Sequence, residues 1–163
     1  MNGIKPKLLI FINTLQTGGA ERVVSLLLNH LKNDFEIHLA LYSNYIDYTI
    51  PPEVQVFHLN QPLLQNKVVR FLKLPNMSLK IYRYCKKNGI NNSVAFLYRP
   101  CYINAIMKSF WGYRGHVIMC EGTHQTTMQE SHSAIYRMFS KFMVMYSYKR
   151  AHLILANSYA IQT

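Results

Sequence analysis

Acidic residues are scarce in this sequence: seven Asp and Glu stand against eighteen Lys and Arg in 163 residues, a formal net charge of +11. Such an imbalance favours an anionic partner, whether nucleic acid, a membrane surface or a phosphorylated substrate, and by itself does not choose among them. Charged residues total only 15% while half of the chain is apolar, which excludes a self-repelling disordered polymer. Cysteine is sparse too. Cys85, Cys101 and Cys120 form no CxxC pair and leave one over, so free thiols in a reducing compartment are expected rather than a disulfide framework. The seven histidines show no HxxxH or HExxH spacing, and neither a metal nor a bound cofactor is expected. Apolar runs stay far short of the roughly 20 residues that span a bilayer. The segment Met1 to Lys7 leads into an apolar stretch broken by Asn13, without a small-residue cleavage site. These absences leave the expectation of one soluble, cytoplasmic domain over residues 1–163.

What is present is an alternation. Lys7 to Asn13 (KLLIFIN) is a continuous apolar run, as expected of a strand buried on both faces. Glu21 to Lys32 then places Val24, Leu27, Leu28 and Leu31 on one side of a helix. Phe35 to Tyr42 and Val54 to Leu59 read as the second and third strands. Residues 63–88 read as helix, interrupted near Pro75 and closed at Asn88-Gly89. Val94 to Tyr98 is a fourth strand, Tyr102 to Phe110 a helix after Pro100, and His116 to Cys120 a fifth strand. Ser133 to Arg150 is a long helix and His152 to Ala156 a sixth strand. The implied fold class is α/β: a Rossmann-like, doubly wound and mostly parallel sheet with helices on both faces. Asn157 to Ala160 then reads as the start of another helix, so a longer parent reading frame is expected.

In a doubly wound sheet, ligands bind beyond the carboxyl ends of the strands, where the strand order reverses. The loop after the first strand, Asn13 to Gly19, opens directly into a helix through Gly18 and Gly19. Backbone without side chains approaches a ligand closely, and the free N–H groups of the helix's first turn favour an anion. The alternative is a tight strand-to-helix turn with no ligand. GxGxxG is absent and the second strand ends Ala40-Leu41-Tyr42-Ser43 with no acidic residue, which removes a dinucleotide. GxxxxGK[ST] is absent as well, which removes a P-loop. Glu21 suits the positive end of the helix dipole, and Arg22 either offers a fork to phosphate or lies solvated.

Thr17-Gly18-Gly19-Ala20-Glu21-Arg22-Val23-Val24 after a first strand resembles the opening of the family 4 glycosyltransferases, which have the two-domain GT-B architecture. His152 to Ser158 (HLILANS) and Met119 to His124 (MCEGTH) resemble two later segments of the same family's N-terminal domain. The likeness runs the length of the chain in element order, while its motifs occupy three short stretches. It implies the acceptor-side domain of an enzyme that moves a sugar from a nucleotide-sugar donor to a glycan or glycolipid acceptor. Gly18, Gly19, Arg22 and Glu121 would then contact the substrates or the donor diphosphate. His124 would handle a proton or bind the acceptor, with a surface-loop histidine as the alternative. Gly122 and Thr123 separate Glu121 from His124, where many relatives have the two adjacent. Asn157 and Ser158 are a helix cap, or else touch the cleft. The paired-glutamate motif of the family's C-terminal domain is absent, so the chain is expected to need that domain as its partner and to be inactive alone. The resemblance also implies transfer without a metal ion, and cell-envelope polysaccharide synthesis as the setting.

Between Lys67 and Lys87, basic residues recur every three or four positions with apolar residues between them. That pattern suits an anionic membrane surface, or a solvated helix face whose other side is core. The segment Tyr136 to Tyr148 is rich in Met and aromatics and is expected mainly to pack. Two other function classes stay open. One is a single-domain anion-binding module using the glycine loop. The other is a basic nucleic-acid binder, which lacks any helix-turn-helix, RRM, KH or zinc signature and is not expected.

Overall fold

The computed structural model describes residues 5–62, 67–121 and 134–156. Strand β1 (Lys7–Ile12) leads into helix α1 (Gly19–Leu31), then β2 (Glu36–Leu41) and β3 (Gln55–His58). Helices α2 (Lys67–Leu72) and α3 (Leu74–Asn88) precede β4 (Asn92–Phe96), α4 (Tyr98–Phe110) and β5 (His116–Glu121). Helix α5 (Ala134–Tyr148) and strand β6 (Leu153–Ala156) follow. The six strands form one sheet in the order β3-β2-β1-β4-β5-β6, and every neighbouring pair is parallel. The expected doubly wound α/β sheet is therefore what forms.

The uninterrupted apolar character of β1 follows from its central place. Leu8, Ile10 and Ile12 pack on one face with Val24 and Leu28 of α1. Leu9 and Phe11 pack on the other with Met77, Ile81 and Ile103 from α3 and α4. A strand covered on both sides has no position at which a polar residue would be cheap. Leu28 is fully buried, a burial worth about 1.5–3 kcal/mol for such a side chain.

Local chemistry explains the boundaries. The helix over 67–88 breaks at Lys73, and Pro75 lies in the first turn of α3, where a missing N–H costs nothing. Gly89 closes α3 in the left-handed region at φ 67°, and the Ile90 N–H donates back to the Cys85 carbonyl at 2.9 Å. One expectation shifts: the fourth strand stops at Phe96 instead of reaching Tyr98, and α4 begins at Tyr98 instead of Tyr102. Pro100 is thus inside the first turn of α4, where the ring is tolerated for the same reason as in α3. Strand β6 also departs from the buried pattern its apolar run implies. It is the sheet's edge, and Leu153, Ile154 and Leu155 are all exposed.

Candidate functional site

The strand order reverses between β1 and β4, which lie side by side in the middle of the sheet. Phe11 pairs with Ala95, so Asn13 and Leu97 lie just beyond the carboxyl ends of adjacent strands. The segments that leave β1 and β4 therefore border one crevice, where a doubly wound sheet holds its ligand.

The β1 side is the glycine loop. Leu15 bridges to Ile46, with its N–H on the Tyr45 carbonyl and its own carbonyl accepting from Asp47, both at 2.9 Å. Asp47 Oδ2 accepts from the Thr17 N–H at 2.9 Å and the Thr17 hydroxyl at 3.2 Å. Gly18 caps α1 with an extended backbone, φ −175°, and no side chain caps that helix start. A Cβ at Gly18 would collide with the Glu21 carboxylate, the movable end of a flexible side chain. A Cβ at Gly19 would meet nothing within 4 Å. Gly19 thus faces open space, while Arg22 is exposed on the same first turn.

The β4 side is built differently. Leu97, at φ 69° and ψ 161°, turns the chain straight from strand into helix with no intervening loop. A non-glycine residue in that region costs about 1–3 kcal/mol, a strain that collects at functional sites. The Leu97 N–H donates to Cys120 on β5 at 3.1 Å, and its carbonyl accepts from Cys101 at 3.2 Å, which pins the turn. Two residues on, Arg99 places its guanidinium 5.5 Å from the Tyr42 ring and 5.3 Å from the Tyr98 ring. Arg99 Nε is buried without a hydrogen-bond partner among the described residues, and so is Asn13 Oδ1.

Of the residues singled out from sequence, Gly18, Gly19 and Arg22 come together at the start of α1. Glu121 ends β5 on the same rim, paired in register with Ala156, with β4 lying between it and the glycine loop. His124, Asn157 and Ser158 lie outside the described residues. Sequence reasoning passes over Asn13, Tyr42, Asp47 and Arg99. Arg99 carries the same signal as Arg22, a basic residue in the first helical turn after a central strand. Counting Tyr98 into the strand hides it.

Nucleophilic thiol chemistry has no support here. No disulfide joins the three cysteines, and all three are buried. Burial pushes the Cys120 thiol up to about 11 and the Cys85 thiol up to about 12. Among the described residues no group of three His, Cys, Asp or Glu is placed to hold a metal ion. No helix among them is long and apolar enough to cross a membrane.

The basic segment resolves into two kinds of surface. On α3, Lys80, Arg83, Lys86 and Lys87 are exposed while Leu74, Met77, Ile81 and Cys85 are core. On α2, Leu72 is 75% exposed and Val69 is exposed beside it.

No family model matches the chain. It is 38% identical over 153 residues to the Campylobacter jejuni N-acetylgalactosamine-N,N'-diacetylbacillosaminyl-diphospho-undecaprenol 4-alpha-N-acetylgalactosaminyltransferase. That match takes in 93% of this chain but only 41% of the relative's length. Among solved structures, sucrose-phosphate synthase from Thermosynechococcus elongatus superposes with a TM-score of 0.71 at 10% identity, over 92% of this chain and 42% of that one. The Anabaena protein HepE, solved with UDP and glucose, superposes with a TM-score of 0.59 at 17% identity, over 96% of this chain and 39% of that one.

Proposed function

We propose that this chain, a relative of the GT-B glycosyltransferases in sequence and fold, is the acceptor-side, N-terminal half of a sugar transferase. The donor is a nucleotide sugar and the acceptor a glycan carried on a lipid diphosphate. One observation carries the reading: an uncapped helix start behind Gly18-Gly19, with open space before Gly19, at the reversal point of the sheet. The name of the Campylobacter relative, a transferase acting on a diphospho-undecaprenol-linked sugar, supports the acceptor class. The UDP and glucose held by HepE support the donor class.

In this reading an acceptor hydroxyl attacks the anomeric carbon of the donor sugar and the nucleoside diphosphate leaves. No metal ion takes part. Negative charge develops on the departing phosphate, and free backbone N–H groups at the start of α1, with Arg22 beside them, stabilise it. Glu121, at the end of β5, contributes to substrate binding, and His124 is the group that takes or relays the hydroxyl proton. A second, nucleotide-sugar domain completes the site, and the chain alone is inactive. The exposed Leu72 and Val69 of α2, with the exposed Lys80, Arg83, Lys86 and Lys87 of α3, suit contact with an anionic membrane surface, where a lipid-linked acceptor resides.

The test uses the longest reading frame that contains these residues. It is assayed for transfer from a panel of nucleotide sugars to undecaprenyl-diphosphate-linked acceptor, with and without EDTA. Transfer that survives EDTA and disappears in the Gly19→Val variant is expected. A folded enzyme that transfers from no donor, or a Gly19→Val variant with full activity, overturns the reading.

A further inference from the structure

We infer that Arg99 is a phosphate-recognition residue of this rim, taking a phosphoryl oxygen of a sugar phosphate whose hydroxyl meets Asn13. The inference rests on the acceptor-side reading above and adds to it a residue on the opposite lip from the glycine loop.

A partly buried guanidinium is ordinarily answered by a carboxylate or by carbonyl oxygens, because its five N–H donors lose water on folding. Arg99 has no such answer among the described residues. The ion pairs there are Lys7 with Glu36 and His38 with Glu36, both at the other end of the sheet. Arg99 instead has two aromatic neighbours, Tyr42 and Tyr98. Their rings favour the cation and restrict its position, but they supply no acceptor for Nε. A restricted guanidinium with an unfilled donor is built for an incoming pair of oxygens, and phosphate presents such a pair.

Asn13 has the complementary shortage. Its Oδ1 is a buried acceptor without a donor among the described residues, just beyond the carboxyl end of the neighbouring strand β1. A ligand that carries a phosphoryl oxygen and, close by, a hydroxyl satisfies both groups. That chemistry is a glycosyl phosphate or diphosphate. Leu97 supports a ligand role as well, since its left-handed turn is what brings Arg99 to the crevice without a loop.

The same chemistry occurs in the nucleotide-sugar donor and in a diphosphate-linked acceptor, and the experiment separates them. The purified chain is titrated by calorimetry with inorganic pyrophosphate, glucose 1-phosphate and UDP, in wild type and in Arg99→Gln, Arg99→Lys and Gly19→Val forms, with melting temperatures as the folding control. Arg99→Gln is expected to weaken pyrophosphate and glucose 1-phosphate at least about tenfold, the scale of a lost charge-assisted fork. Arg99→Lys keeps the charge but not the fork, and is expected to lose several-fold. Should Arg99→Gln not fold, the same comparison is made with the Lys form. Loss of glucose 1-phosphate with UDP unchanged assigns Arg99 to the acceptor, and a parallel loss of UDP assigns it to the donor. Either result supports the inference. Unchanged binding of all three probes in Arg99→Gln overturns it, and if Gly19→Val abolishes that binding, the glycine-loop reading survives alone. A wild-type chain that binds neither pyrophosphate nor glucose 1-phosphate overturns it too.

Discussion

Asp47 holds Thr17 twice, accepting from its backbone N–H at 2.9 Å and from its hydroxyl at 3.2 Å. These two bonds tie the glycine loop to the segment that follows β2. Removing the carboxylate in Asp47→Ala is expected to cost about 1 kcal/mol, since both bonds are exposed and water replaces part of them. Asp47→Asn keeps an acceptor and should be close to neutral. Urea denaturation measures both costs. Hydrogen exchange at Thr17 should rise in the Ala form and not in the Asn form.

The two glycines of the loop are expected to behave differently. Gly18→Ala displaces only the end of the Glu21 side chain, and the melting temperature should hardly move. A Cβ at Gly19 meets nothing within 4 Å, so the fold of Gly19→Val should also be intact, yet transfer by the longer enzyme should vanish. A stability loss as large as a buried cavity's in Gly19→Val would show that the space before it is already filled.

Leucines at two positions separate core from surface. Leu28→Ala, fully buried between α1 and the sheet, should lose about 2–5 kcal/mol on denaturation. Leu72→Ala, on the exposed side of α2, should stay within about 0.5 kcal/mol of wild type. Its effect is expected instead in sedimentation with vesicles containing phosphatidylglycerol, where bound protein should drop. Equal vesicle binding by Leu72→Ala would remove α2 from the membrane contact.

The buried His38 makes stability depend on pH. Its ring bonds the Tyr84 hydroxyl at 2.9 Å and Glu36 at 3.3 Å, and Lys7 lies on the same carboxylate at 3.2 Å. Burial holds His38 below its ordinary 6.5, Glu36 opposes that shift, and Lys7 adds to it. The unfolded chain therefore takes up its proton first as the pH falls, and stability declines on acidification from about pH 7 towards 5. His38→Gln should flatten that slope in denaturation midpoints taken across the range. An unchanged slope would assign it to other groups.

Thiol reagents give the simplest check on the core. With the Cys85 and Cys120 thiols buried and pushed up to about 12 and 11, Ellman's reagent should leave the native chain unlabelled and find all three cysteines after denaturation. Fast native labelling would contradict the packing of α3 and β5.

Much of the fold was legible residue by residue. The run Lys7 to Ile12 announced a strand with helices on both sides because each position of a doubly covered strand excludes polar groups. Gly89 announced the end of α3, since its left-handed φ of 67° suits a residue without Cβ. The glycine loop announced its own position, because two glycines before a helix leave backbone N–H groups uncovered. These are local properties, set by each residue and its near neighbours in the chain.

The rest depended on contacts between distant segments. Phe96 to Pro100 could continue a strand or begin a helix by composition, and the Leu97 turn was decided by its bonds to Cys120 and Cys101. Asp47 has no motif and matters only because β1 and β2 run side by side. Arg99 reads as one cation among eighteen until the sheet order brings Tyr42 beside it. By itself the sequence determined the class of fold, the glycine loop and the family likeness, because local propensity and burial pattern encode them. Only the tertiary structure decided which side chains share the crevice with that loop, because strand order and register are fixed by long-range packing that no short window of sequence contains.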